Sequence, residues 1–220
     1  IAMNKDGTVI ATGEPYDDGN GTNNGSARVW VYNGTDTWIQ VGQDIEGKAN
    51  SDNFGWKVSL NDDGTRIAIG ARYNDDNGNN SGHVGVWEYS NLDMTSGGSW
   101  TQIGQNIVGS KDSMWAGQWA LALNGDGSVV AITEPYAHNT DAQNDDEGMV
   151  RIWLYNGTDT WNQIGQNIYG ESRDDQYGYY NLGINSTGDI VASISTANDT
   201  ASANAGMVSV WKYSKPGQTG

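Results

Sequence analysis

Asn61-Asp62-Asp63-Gly64, then Arg66-Ile67-Ala68-Ile69-Gly70, then Val86-Trp87-Glu88-Tyr89 is the stretch that decides the fold, because it recurs. The turn returns as Asn4-Lys5-Asp6-Gly7, Asn124-Gly125-Asp126-Gly127 and, degraded, Asn185-Ser186-Thr187-Gly188, with glycines 57, 63 and 61 residues apart. The small-residue segment returns as Val9-Ile10-Ala11-Thr12-Gly13, Val129-Val130-Ala131-Ile132-Thr133 and Ile190-Val191-Ala192-Ser193-Ile194. The aromatic segment returns as Val29-Trp30-Val31-Tyr32, Ile152-Trp153-Leu154-Tyr155 and Val210-Trp211-Lys212-Tyr213. A third segment reads Trp38-Ile39-Gln40-Val41-Gly42-Gln43, with copies at Trp100–Gln105 and Trp161–Gln166. A fourth runs Phe54–Leu60, with copies at Trp115–Leu123 and Tyr177–Ile184. Four strands in a unit of about 60 residues is the sequence signature of a propeller blade.

Alternation supports that reading. Residues i and i+2 share one face of a strand, so Val150, Ile152 and Leu154 oppose Arg151, Trp153 and Tyr155. Both faces are substantially apolar, as a blade pressed between two neighbours requires; a sheet wetted on one side would alternate cleanly with polar residues. The expected fold is all-β, a β-propeller of four-stranded antiparallel blades. A β-sandwich has no reason to repeat at this period, and solenoid repeats are usually shorter. The Ala/Gly/Ser-rich strand is expected innermost, where blades converge.

The chain has 220 residues, with 31 Gly, 3 Pro, 10 Trp, 11 Tyr and a single Phe. Mean hydropathy of −0.63 would suit disorder, but disordered chains are poor in aromatics. Lys plus Arg number 11 against 27 Asp plus Glu, a net charge of −16 that argues against nucleic acid and anionic membrane as partners. No cysteine is present, which removes disulfides, thiolate metal sites and cysteine nucleophiles. No apolar run approaches the roughly 20 residues of a membrane helix.

The repeats divide the chain into a strand end at 1–3, repeat 1 at 4–60, repeat 2 at 61–123, repeat 3 at 124–184 and a partial repeat 4 at 185–220. About three and a half blades are therefore expected. Because the first residue is Ile1 and the last repeat lacks its third strand, the reading is a segment of a larger ring, or one whose edges partner chains cap. A small four-bladed ring is the fallback.

Phe54-Gly55, Asp63-Gly64, Ile67-Ala68-Ile69-Gly70-Ala71 and Gly82-His83-Val84-Gly85-Val86-Trp87 together resemble the FG-GAP repeat of integrin α-subunit propellers and related surface proteins. Tyr177-Gly178 and Trp115-Ala116-Gly117 are looser forms of the Phe-Gly element, as Thr12-Gly13-Glu14-Pro15 and Ile132-Thr133-Glu134-Pro135 are of the Gly-Ala-Pro element. The resemblance implies a seven-bladed extracellular propeller acting in adhesion or ligand binding. At about 60 residues a blade, this chain is about half such a ring. The family's calcium loop, D-x-N-x-D-G-x-x-D, corresponds here to Ser59–Ile67. Asn61 and Asp63 fit two ligand positions, but Ser59 replaces the first Asp, the last Asp has no counterpart, and Arg66 adds a positive charge. Calcium wants six to eight oxygens, so this stretch reads first as a tight turn, whose Asn/Asp-Gly supplies φ > 0. Acidic loops at Asp17-Asp18, Asp75-Asp76 and Asp145-Asp146-Glu147 could relieve their repulsion with a cation, making Asp75, Asp76, Asp145 and Asp146 the weaker metal candidates beside a solvated-loop reading. No cofactor is otherwise expected.

Catalytic patterns are sparse. His83 stands where other repeats place Met149 or Met207, His138 lies in a variable loop, and no G-x-S-x-G element occurs. Arg28 and Arg151 recur at one blade position, a scaffold pattern. Paired carboxylates keep a glycosidase open as a minor alternative. Seven Asn-x-Ser/Thr sequons occur, at Asn20, Asn24, Asn33, Asn79, Asn156, Asn185 and Asn198; Asn33 and Asn156 share a Tyr-Asn-Gly-Thr-Asp-Thr-Trp hairpin and are the best N-glycan candidates. Most Trp and Tyr recur at fixed phase, which favours inter-blade packing, whereas Trp119 and Tyr180 fall outside the pattern and fit a carbohydrate-stacking platform. Binding is expected on the differing loops 16–26, 73–82, 136–148 and 196–206. The resulting expectation is a non-catalytic extracellular or cell-surface propeller for structure, adhesion or protein recognition, meeting a protein partner or itself through the loop face or blade edges. A calcium-dependent binding module and a glycan-active enzyme are the alternatives.

Overall fold

The structure, a computed structural model, describes residues 1–91, 93–94, 97–138, 146–198 and 205–213. It is all-β: among the described residues there is no helix, and the strands form four antiparallel sheets. Blade 1 comprises β1 (Ala2–Met3), β2 (Val9–Glu14), β3 (Ser26–Tyr32) and an outer edge split into β4 (Trp38–Gln40) and β5 (Ile45–Glu46). Blade 2 comprises β6 (Phe54–Leu60), β7 (Arg66–Ala71), β8 (His83–Tyr89), β9 (Trp100–Gln102) and β10 (Ile107–Val108). Blade 3 comprises β11 (Leu121–Leu123), β12 (Val129–Glu134), β13 (Met149–Tyr155) and β14 (Trp161–Tyr169); blade 4 holds β15 (Leu182–Ile184), β16 (Ile190–Ser195) and β17 (Met207–Lys212).

Each sheet is displaced by one strand from the sequence repeat. Phe54–Leu60 pairs with β7 of the following repeat, Ile69 opposite Val58 and Ile67 opposite Leu60, and is the first strand of blade 2 rather than the last of blade 1. The fourth segment is also shorter than expected in later copies. Trp115 at φ 51 and Gly117 at φ 81 turn the chain before β11, and Gly178 at φ 87 does so before β15. A second correction concerns the centre. The strands that contact their own counterparts in neighbouring blades are β1, β6, β11 and β15, so these, not the Ala/Gly/Ser-rich strands, line the convergence of the blades. Small residues are needed one strand further out because the segment leading into the neighbour's first strand crosses there: a Cβ on Gly70 would lie 2.2 Å from the Gly117 carbonyl oxygen.

The repeated turn does local work that explains its sequence. Asn4, Asn61, Asn124 and Asn185 each accept, through Oδ1, the backbone N–H five residues on, at 2.8–2.9 Å. The glycine at the fourth position takes φ of 71, 79, 66 and 70 in the four copies, which a side chain would strain. The turns are also chained: Lys5 N–H donates to Asp62 O, Asp62 N–H to Gly125 O and Gly125 N–H to Ser186 O. One end of the central strands is thereby closed by backbone hydrogen bonds.

Three apolar layers lie between the blades. Ala11, Ala27 and Val29 of blade 1 pack on Ile67, Ile69 and Trp87 of blade 2. Val84 and Val86 pack on Leu121, Val130 and Ile132, and Val150 and Ile152 on Leu182 and Val191. The Trp…Ile-Gly-Gln segment staples one blade to the next. Gln43 donates to Trp100 O at 2.8 Å and accepts from Trp100 N–H at 3.0 Å, and Gln105 does the same to Trp161 at 2.7 and 2.9 Å. The indole N–H of Trp100 then reaches Val41 O, and that of Trp161 reaches Ile103 O. Trp100 and Trp161 are 4% and 1% exposed, against 39% for Trp38, which has no such neighbour among the described residues.

A candidate recognition face of tyrosine, tryptophan and arginine

The opposite end of the central strands carries a continuous run of aromatic rings. Tyr16, Tyr73 and Tyr136 each stand nine residues past the turn glycine, just beyond β2, β7 and β12. Trp56 lies in β6, and Trp115, Trp119, Tyr179 and Tyr180 flank the positive-φ glycines Gly117 and Gly178 that bend the chain ahead of β11 and β15. Tyr16 meets the edge of Trp56 at 6.0 Å, and the Arg72 guanidinium sits 3.2 Å over Trp56 and 4.1 Å over Tyr73. Tyr73 meets Trp115 at 6.5 Å and Trp115 meets Tyr136 at 4.9 Å. Tyr136 meets Tyr179 at 6.0 Å, which stacks on Trp119 at 4.0 Å, with Tyr180 edge-on to Trp119 at 5.9 Å.

Edge-to-face and offset contacts at these separations each stabilise by about 0.5–1.5 kcal/mol beyond area burial, so the run is held rigid. It is not sealed: Tyr16 and Tyr180, its two ends, are 61% and 59% exposed. Burial, and then the hydrogen bond to Tyr179, pushes the Tyr136 hydroxyl above its ordinary value and keeps it neutral. Burial lowers the Arg72 pKa, while its Nε–H donates to Asn53 Oδ1 at 3.2 Å. Among the described residues the indole N–H groups of Trp115 and Trp119 have no acceptor, an unusual state for buried donors. Trp119 and Tyr180, which break the repeat pattern, are thus brought together with Tyr16, Tyr73 and Tyr136, which open three of the loops expected to bind, and with Trp56, Trp115 and Tyr179, which the sequence places on the fourth strand segment. The recurrence of tyrosine nine residues after Gly7, Gly64 and Gly127 was the signal available for three of those.

The other sequence candidates scatter. Asp17 binds Ser26 and Arg28, Asp18 accepts from Asn23 N–H and Asp75 from Asn80 N–H, so these acids close their own loops. Asp63 accepts from Thr65 within its own turn. Asp76 is exposed, Asp146 lies 4.0 Å from His138, and Asp145 falls outside the described residues. Among the described residues no three of His, Asp or Glu come together as a metal site. Of the sequons, Asn20, Asn33, Asn79 and Asn156 are exposed. Asn24 and Asn198 are 1% and 2% exposed with Nδ2 bonded to Gly47 O and Asp175 Oδ2, and Asn185 spends its Nδ2 on Thr187 and Asp189. Asn24 and Asn198 are thus buried loop braces, and Asn185 is a half-buried turn brace.

Comparison with known proteins fits this architecture. Residues 46–86, from β5 into β8, match the FG-GAP repeat. No curated protein matches the chain. A crystal structure of a candidate 6-phosphogluconolactonase from Bacteroides uniformis superposes with a TM-score of 0.57 at 14% identity, over 97% of this chain and 49% of that one. At that identity the likeness concerns the fold alone, and the chain spans about half the length of that structure. The protein is a β-propeller, and its second blade carries the FG-GAP repeat that the Phe-Gly and Gly-Ala elements suggested.

Proposed function

We propose that this propeller is a non-catalytic recognition module acting outside the cell, in adhesion or surface architecture, and that the aromatic run is its contact surface. One observation carries the reading: eight Tyr and Trp rings and Arg72 from four blades converge into one partly exposed face. Tyr, Trp and Arg are the residues that dominate binding energy at protein interfaces. The net charge of −16 favours a basic partner and speeds its encounter. It disfavours a phosphorylated substrate, which needs converging cations, whereas Arg72 is the one cation stacked on the ring face among the described residues. Exposed Asn33 and Asn156 are the expected N-glycan sites of the secreted protein, because each caps its exposed hairpin through Oδ1 and not through the amide nitrogen that a glycan would take.

The test is adhesion of the purified chain to cells or matrix of the producing organism, with Tyr16→Ala/Tyr180→Ala as the comparison. Both rings sit at the exposed ends of the run and lose only edge contacts, so adhesion lost by tenfold or more (about 1.4 kcal/mol) from a variant that urea unfolding shows to be folded under the assay conditions supports the reading. Undiminished adhesion by the variant, or turnover of a lactone or glycoside, overturns it.

A further inference from the structure

Blade 2 departs from blades 1 and 3 in one coordinated way. In blade 1 Arg28 pairs with Glu14 and Asp44, and in blade 3 Arg151 pairs with Glu134 while its Nη2 donates to Val108 O of the preceding blade at 2.7 Å. Glu134 also accepts from Ser110, so the guanidinium and carboxylate together fill the junction between blades 2 and 3. The equivalent positions of blade 2 are Gly85 and Ala71. The Trp87 indole leans over Gly85, where a Cβ would lie 2.5 Å from it. Beside it a cavity of about 100 Å³ opens between blades 1 and 2, lined by Glu46, Asp52, Phe54, Asp76, His83 and Trp87 among others.

The lining has more acceptors than donors. His83 is 8% exposed and its Nδ1 makes no hydrogen bond among the described residues, the Asp76 carboxylate standing 3.7 Å away at ion-pair distance. The Asn74 amide is spent on Asp52 and that of Gln102 on Asn106. Lys48 is exposed at the rim. Phe54 stands edge-on to Trp87 at 5.1 Å and supplies an aromatic wall.

We propose that this cavity binds a guanidinium or alkylammonium head group, in the place where blade 3 holds its own arginine. The carboxylates of Glu46 and Asp76 and the aromatic wall attract the cation, and His83 Nδ1 accepts one of its N–H groups. The volume is below the about 150 Å³ that takes a benzene ring, so the site admits a head group and excludes a ring. The head group belongs either to a free small cation or to an arginine or lysine of a partner.

The experiment titrates the intact chain with methylguanidinium, with N-methylurea as the neutral isostere and with an acetylated arginine tripeptide, reading the His83 imidazole ¹⁵N resonances. Saturable shifts with methylguanidinium and none with methylurea at equal concentration support the proposal. A tighter tripeptide assigns the site to a partner's side chain, and equal affinity assigns it to the free cation. Ala71→Glu/Gly85→Arg should refill the junction and abolish the shifts. Should that variant fail to fold, Asp76→Asn, at an exposed position, should weaken methylguanidinium by about fivefold, the loss of one partly screened carboxylate. Equal responses to cation and urea, or unchanged affinity in Asp76→Asn, overturn the proposal.

Discussion

Replacing Gln105 with alanine removes two hydrogen bonds that cross from blade 2 to blade 3, at 2.7 and 2.9 Å, and leaves the Trp161 backbone N–H and C=O to find water. Each such bond contributes about 1 kcal/mol net; Gln105 itself is exposed, so water partly replaces it, and the expected cost is about 1–2 kcal/mol. For a chain of this length that corresponds to a fall in melting temperature of about 2–8 °C. Gln43 makes the same pair to Trp100 and should cost the same. Gln166 occupies the third copy of the motif but makes no such pair among the described residues, and its replacement should stay within about 0.5 kcal/mol. The assay is urea unfolding of all three variants at one protein concentration. If Gln166→Ala costs as much as Gln105→Ala, or if Gln105→Ala is neutral, the motif acts through its own blade and the stapling argument is wrong.

Burial holds His83 down to about 4 against an ordinary 6.5, so between those values the unfolded chain takes up a proton that the folded chain refuses. Stability should therefore fall by up to about 3 kcal/mol on acidifying from pH 7 to pH 4, and His83→Met, the residue blades 3 and 4 use, should flatten that part of the profile. Arg151→Met strands the buried Glu134 carboxylate, 1% exposed, and should cost about 3–5 kcal/mol in chemical denaturation. Adding Glu134→Leu should recover most of that loss, and Arg28→Met, at a side chain 26% exposed, should cost no more than about 1 kcal/mol. Secretion from a eukaryotic host followed by glycosidase treatment and intact-mass measurement should show glycans at Asn33 and Asn156 and none at Asn24 or Asn198; occupancy at buried Asn24 would contradict its packing.

The repeat was legible because it is local. Asn-x-Asp-Gly fixes a turn through one side chain and one φ, and the i, i+2 alternation of Val150, Ile152 and Leu154 against Trp153 and Tyr155 reports two buried faces without reference to anything distant. Those two signals alone determined an all-β chain of stacked blades, and placed the Trp and Tyr of β8 and β13 between them. Sequence could not say which sheet Phe54–Leu60 joins, because an edge pairs equally well with the strand before or after it until the neighbouring blade is in place. Nor could it assemble the ring face: Tyr16 and Tyr180 are far apart in the chain and meet through intermediates in three blades. The Gly85 and Ala71 exceptions are visible in the alignment of repeats, but whether a missing arginine leaves a cavity or a collapsed junction depends on how far Trp87 swings. That is a matter of packing between blades, decided only when non-local surfaces close on one another.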